Sequence, residues 1–247
     1  LMFGGIRISE AFHIWFNDVI PQVNSGCKVI LRHPSDSQVN IPGEPNLLRK
    51  QYLAMRGLFP RNTRGVSKTY YSGWKNLAVD ASLEAPVFFL HDSAENLVRS
   101  MYFKYLKYRE KAMVVYRSIH GFEHPFLFVS SQGKFAGQPY SMGAYRGALK
   151  SAYDRLEHKF GYTIPRAKKN GTTPHGMRHF YGQSLTDSCV EPKIIQKALR
   201  HRSVLSKIVY TEPKDALVEK TLNEAKIKIG VNKDMTLTSN IIGALNG

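Results

Sequence analysis

Thr173-Pro174-His175-Gly176-Met177-Arg178-His179 is the stretch on which the reading of this chain turns. Thr173 has the side chain of a helix N-cap, and Pro174 suits the first helical position, where no backbone N–H is required. A helix beginning there puts His175 and Arg178 three residues apart on one face of its first turn. The unpaired N–H groups of a helix N-terminus already favour an anion. An arginine beside them can grip two phosphate oxygens through parallel N–H bonds, and a histidine adds a proton donor or a base. The same seven residues, taken alone, also describe a capped helix whose His and Arg face solvent.

Beyond this stretch the chain reads as mostly helical, with Glu191-Pro192 repeating the pattern of a cap followed by proline. Upstream, Ser141 opens a helix through about Phe160, and His91-Asp92-Ser93 caps a long one from Ala94 to about Val115. Lys28–Leu31, Leu77–Val79 and Val87–Leu90 are predicted strands. At the start, Gly4-Gly5 marks a turn, after which Ile6, Ile8, Ala11, Phe12 and Trp15 recur at near-helical spacing. Residues 35–73 carry Pro42, Pro45 and Pro60 among many arginines and lysines, and read as a basic surface insertion with a short helix from Asn46 to Arg56. Residues 230–247 are polar and read as a tail. The expected fold class is α+β, mostly α-helical with a small antiparallel β-sheet, forming one domain over residues 1–229.

Of the 247 residues, 35 are Lys or Arg and 19 Asp or Glu, a formal charge of +16 that attracts polyanions. The cations are spread over Arg49–Lys75, Lys104–Arg117 and Lys159–Lys207, with no dominant basic amphipathic helix, which favours nucleic acid over a membrane surface. No apolar run approaches the ~20 residues needed to span a bilayer. Cys27 and Cys189 make neither a disulfide framework nor a zinc set, as in a reduced, cytosolic protein. The opening on Leu1, inside an apolar run and without a signal peptide, suggests a fragment whose upstream partner domain is absent.

His201 follows Arg178 by 23 residues, and Tyr210 follows His201 by nine. His175-x-x-Arg178, then His201, then Tyr210 resembles the C-terminal signature of the tyrosine recombinase, or phage integrase, family. Arg178-His179-Phe180 and Leu199-x-His201-x-Ser203 follow the same pattern, while Arg200 stands where the family often has glycine. At the other end, Gly5-Ile6-Arg7-Ile8-Ser9-Glu10 resembles the Gly-x-Arg-x-x-Glu setting of the family's first arginine.

That resemblance implies the tyrosine recombinase catalytic-domain fold and a DNA breaking-rejoining reaction. It makes Tyr210 the nucleophile, Arg7 and Arg178 the clamps on the non-bridging phosphate oxygens, His175 the base and His201 a hydrogen-bond donor. Glu10 is a packing or orienting partner. A lysine in a β-hairpin would protonate the departing 5′ oxygen; Lys75 is favoured, with Lys68 and Lys28 as alternatives. The residue types suit the task. A tyrosine of pKa near ~10 needs a base or a cationic pocket, and two permanent cations neutralise a phosphodiester. No metal and no cofactor are expected, and no ATP-binding Gly-x-x-x-x-Gly-Lys-Ser/Thr loop is present.

The resemblance further implies double-stranded DNA as partner, an N-terminal DNA-binding domain, and a homotetramer on synapsed sites. Residues 213–229, with Ala216, Leu217, Thr221, Leu222 and Ala225 at helical spacing, would pack against a neighbouring protomer or fold back on their own core. The short His201–Tyr210 interval fits bacterial integrases, hence a cytoplasmic, nucleoid-associated protein. Two other readings stay open: a non-catalytic DNA-binding module, and a relative such as a type IB topoisomerase or a telomere resolvase.

Overall fold

The computed structural model describes residues 1–24, 26–39, 41–43, 46–75, 77–131, 133–167, 170–201 and 215–232. Tyr210 and most of the expected tail lie outside the described residues. In chain order the elements are α1 (Ile8–Ala11), β1 (Val19–Pro21), β2 (Cys27–Arg32), α2 (Arg49–Ala54), β3 (Glu84–Pro86), α3 (Asp92–His120), α4 (Met142–Phe160), α5 (Pro174–Asp187), α6 (Pro192–Ala198) and α7 (Asp215–Asn232). The class is thus α+β, with helix predominating.

The sheet has the order β1-β2-β3, antiparallel throughout, with Val19 opposite Val29 and Leu31 opposite Ala85. Along β2, Cys27, Val29 and Leu31 are buried while Lys28 is exposed, the period-two alternation of a strand with one face on a core. That face packs with Ile14, Val19, Ala94 and Leu127. A second core gathers Tyr181 and Leu185 of α5, Ile194 and Ala198 of α6, and Val218, Leu222 and Ala225 of α7.

Val87–Leu90, a predicted strand, belongs to no ladder beyond the bond from the Val87 N–H to the Val29 carbonyl. Its unbroken apolar sequence has another cause. Val87 and Phe89 face the first core, while Phe88 and Leu90 face the second. The run is apolar because the extended chain is covered on both sides. Leu77–Val79 is likewise no strand; Leu77 makes an isolated bridge to His201.

Helix starts follow the sequence closely, although α3 runs on to His120, past its expected end near Val115. The His91 ring accepts the Ala94 N–H at 3.1 Å to cap α3, and Ser141 Oγ accepts the Ala144 N–H at 3.1 Å to cap α4. In α7, Val218, Leu222 and Ala225 turn onto the chain's own core, with Ala216 exposed.

Two further expectations are corrected. The helix predicted through Trp15 stops at Ala11. The spacing reported burial, not helix: Phe12, Ile14 and Trp15 are buried on irregular backbone, where Arg61 holds the Phe12 carbonyl. The stretch 35–73 is not a surface appendage. Tyr52 and Leu53 of α2 are buried with Trp15 and Phe126, and the guanidiniums of Arg49 and Arg61 are buried too. Asp18, fully enclosed, accepts from Arg32 at 2.6 Å and from Arg49, which joins the sheet to α2. Basic composition suggested solvent, but these arginines are internal fasteners.

Two histidines are equally internal. Burial first, then the Arg61 guanidinium, pushes His13 down to about 3. Burial also pushes His124 down to about 3, although its Nε2–H donates to the Gly137 carbonyl at 2.7 Å. Unfolded, each binds a proton below ~6.5, so between there and about 3 the unfolded state holds more protons, and stability is lost as the pH is lowered through that range. Urea unfolding between pH 7 and 5, above most carboxylate titration, is expected to show a decline of up to ~1.4 kcal/mol per pH unit from each histidine. A flat profile would contradict their enclosure.

Candidate active site

The site is built from three chain turns and one extended segment. The first turn is the start of α5. Thr173 Oγ1 accepts the Gly176 N–H at 3.2 Å, and Pro174 occupies the first turn. Gly176 is required there: a Cβ would stand 2.1 Å from the Gly171 carbonyl oxygen. His175 is exposed, whereas Arg178, one turn on, is 7% exposed. His179 meets His175 edge to face, their Nε2 atoms 2.7 Å apart, so one ring donates and the other accepts.

The second turn is Gly4-Gly5. Gly5 has φ +57, and a Cβ on it would lie 2.5 Å from the Tyr181 ring. The chain then enters α1 with Arg7 as N-cap. The buried Glu10 carboxylate accepts the Arg7 N–H at 2.7 Å and its Nη1 at 2.5 Å, and lies 3.7 Å from Arg178 Nη1. One carboxylate therefore orients both arginines.

The third turn closes α6. The Arg200 N–H bonds to the Lys197 carbonyl at 2.9 Å and the His201 N–H to that of Gln196 at 3.0 Å, the paired bonds of a Schellman ending. That motif needs a left-handed residue, here Arg200 at φ +55, at a cost of about 1 kcal/mol against glycine. The extended segment that carries Lys75 is anchored to this turn. Leu77 bridges to His201, and the Ala78 N–H donates to the Arg200 carbonyl at 3.2 Å.

Arg7, Lys75, His175, Arg178, His179 and His201 thereby line one cleft of about 570 Å³. No carboxylate is among the described residues that line it. Lys68 is exposed outside it, and Lys28 lines a different cleft beside β2 and α7. Tyr210 lies outside the described residues. Burial, with Arg178, Arg7 and Arg200 nearby, holds His201 below the usual histidine range, so its neutral ring can donate a single N–H. Desolvation brings Arg178 down to about 10, still a cation at neutral pH.

Arg178 is not simply aimed at an anion. Its Nη1 donates to the Gly5 carbonyl and its Nη2 to that of Leu199 at 2.5 Å. A guanidinium carries five N–H groups, so these two carbonyls do not exhaust it. Two residues named in the sequence reading were given no role there. His179 was signalled only by its i+4 spacing from His175, and Arg200 only by standing at a helix C-terminus where glycine is favoured.

Compared with models of known protein families and with curated protein sequences, the chain gives no match. Among solved structures it resembles the integrase of the Tn1549 transposon in complex with circular intermediate DNA, at a TM-score of 0.37 and 14% sequence identity, covering 94% of this chain. The chain spans 55% of that integrase chain. At this overlap the likeness carries no functional weight.

Because Gly5 combines a positive φ with the Tyr181 ring against its Cα, Gly5→Ala is expected to cost about 2–4 kcal/mol in urea unfolding. Gly57, at φ +64 with nothing within 4 Å of a Cβ, gives the comparison. Gly57→Ala is expected to cost only about 1 kcal/mol. Equal costs would mean that the close packing at Gly5 is not what constrains it.

Proposed function

We propose that the chain is the catalytic domain of a tyrosine-type DNA strand transferase, a site-specific recombinase or integrase acting in the integration or excision of mobile elements. One observation carries this reading. Arg7, Lys75, His175, Arg178 and His201, scattered over nearly two hundred positions, line a single cleft with no carboxylate among its described lining residues.

The chemistry follows from their types. Arg7 and Arg178 offset the charge of a DNA phosphate, which grows as the phosphorus is attacked. His175 accepts the proton of the Tyr210 hydroxyl as the Tyr210 oxygen bonds to phosphorus. The bond from phosphorus to the 5′ oxygen breaks, and Lys75 gives that oxygen a proton. His201, neutral, donates to a phosphate oxygen. The product is a 3′-phosphotyrosine, and attack by a 5′ hydroxyl reverses each step, so rejoining consumes no nucleotide. The neighbour of His175, His179, bonds to its Nε2 and so constrains where that ring carries its proton. In this reading the partner is duplex DNA, bound by a homotetramer on two synapsed sites in a bacterial cytoplasm.

A nicked suicide substrate that loses its 5′ fragment is expected to leave DNA covalently attached to the chain. Tyr210→Phe should abolish the adduct while DNA affinity stays within about twofold. Arg178→Ala should slow its formation by roughly 10²–10³-fold, as for loss of one preorganised donor to a developing oxyanion. DNA binding without any adduct would leave a binding module. Relaxation of plasmids without sequence preference would instead point to a topoisomerase.

A further inference from the structure

Arg200 bonds to the segments that carry Arg7, Lys75 and His201, and the residue before it, Leu199, is bonded by Arg178 of α5. We infer that it is a positioning residue, whose buried guanidinium and main chain hold those segments in register; this rests on the proposed strand-transferase reading.

Four observations support it. The side chain is 2% exposed, which leaves it almost no surface to offer to solvent or DNA. Its Nη1 donates to the Ala198 carbonyl at 2.8 Å and its Nη2 to the Gly4 carbonyl at 3.1 Å, 196 residues away. Arg178 makes the parallel pair of bonds one residue along, to Leu199 and Gly5. Two guanidiniums therefore lace the turn before Arg7 to the end of α6. The third observation is the Arg200 main chain: its carbonyl accepts the Ala78 N–H of the Lys75 segment, and its left-handed φ sets the direction in which His201 leaves the helix.

The fourth is what the position costs. Left-handed backbone favours glycine, and a buried guanidinium that makes no direct ion pair, with Glu10 acting on it only at longer range, is expensive. Among the described contacts Arg200 has no ion pair, and its Nε has no hydrogen-bond partner. Glycine would end α6 with less strain, so the helix ending alone does not account for arginine. The bond to Gly4 does.

The test separates positioning from stability and from DNA binding. Arg200→Gly keeps the turn and removes the tie; Arg200→Lys keeps a cation that can reach one carbonyl and retains the strain. Three quantities are measured on each: thermal midpoint, DNA affinity, and the single-turnover rate of covalent adduct formation on a suicide substrate. The expected rates fall in the order Arg, Lys, Gly, with Arg200→Gly slower by about 10–100-fold. Affinity should change by less than about twofold, and the rate order should not follow the thermal midpoints. A wild-type rate in Arg200→Gly, or a loss residing wholly in DNA affinity or tracking the thermal midpoint, overturns the proposal. If Arg200→Gly does not fold, Arg200→Lys decides: slowed cleavage at unchanged affinity supports positioning, and a wild-type rate refutes it. If the wild type forms no adduct, the strand-transferase reading fails separately. Hydrogen exchange then still reports on the tie, through faster exchange over residues 1–10 and 75–79 in the variants if it exists and unchanged exchange if it does not.

Discussion

The interaction on which this structure depends is a guanidinium buried among main-chain carbonyls. Much of the chain before α3 is irregular, with three short strands and two short α-helices among the described residues of its first ninety. Irregular backbone that is covered by other segments leaves carbonyls with no ladder to join, and each must still be satisfied. Arginine answers this with several donors in one plane. Arg61 holds the carbonyls of Phe12, Tyr70 and Tyr140, drawing three separate segments together. Arg109 does the same for His124 and Phe126, and Arg178 and Arg200 do it around the cleft.

This use of arginine changes what the net charge means. A chain at +16 invites the view that its cations form a surface for polyanions. Arg32, Arg49, Arg61, Arg109, Arg178 and Arg200 are nevertheless buried. Desolvation lowers Arg61 to about 10, so it stays charged at neutral pH while enclosed. Part of the excess is therefore internal, and the remainder on the surface is what an approaching phosphate backbone would meet. Counting charges cannot separate the two populations, since both are simply arginine in the sequence.

The long helices and their starts were legible, because caps are local: Ser141, Thr173 and Pro174 sit where the sequence puts them. β2 was legible through its alternation. What sequence periodicity misread was burial without regular structure, as at Phe12–Trp15 and Val87–Leu90, where apolar side chains recur because two cores need covering. The stretch 35–73 misled for the opposite reason, its polarity masking residues tied inward by Asp18 and by carbonyls. In the site, Arg7, His175, Arg178 and His201 could be named from the resemblance of their motifs to a family signature, and Lys75 from where that family places its lysine. Their convergence depends on Arg200 and on Glu10 between two arginines, and such long-range ties leave no periodic trace.

The separation of 196 residues between Gly4 and Arg200 also bears on the life of the chain before it is complete. Contacts so distant in sequence close late, after the entropy of a long loop has been overcome. At synthesis rates of about 5–20 residues per second, the turn that precedes Arg7 waits roughly 10–40 seconds for its partner to be made. During that interval the cleft cannot exist, because one wall has yet to emerge. A nascent or truncated chain thus has the means to approach a polyanion but not to arrange the groups around it.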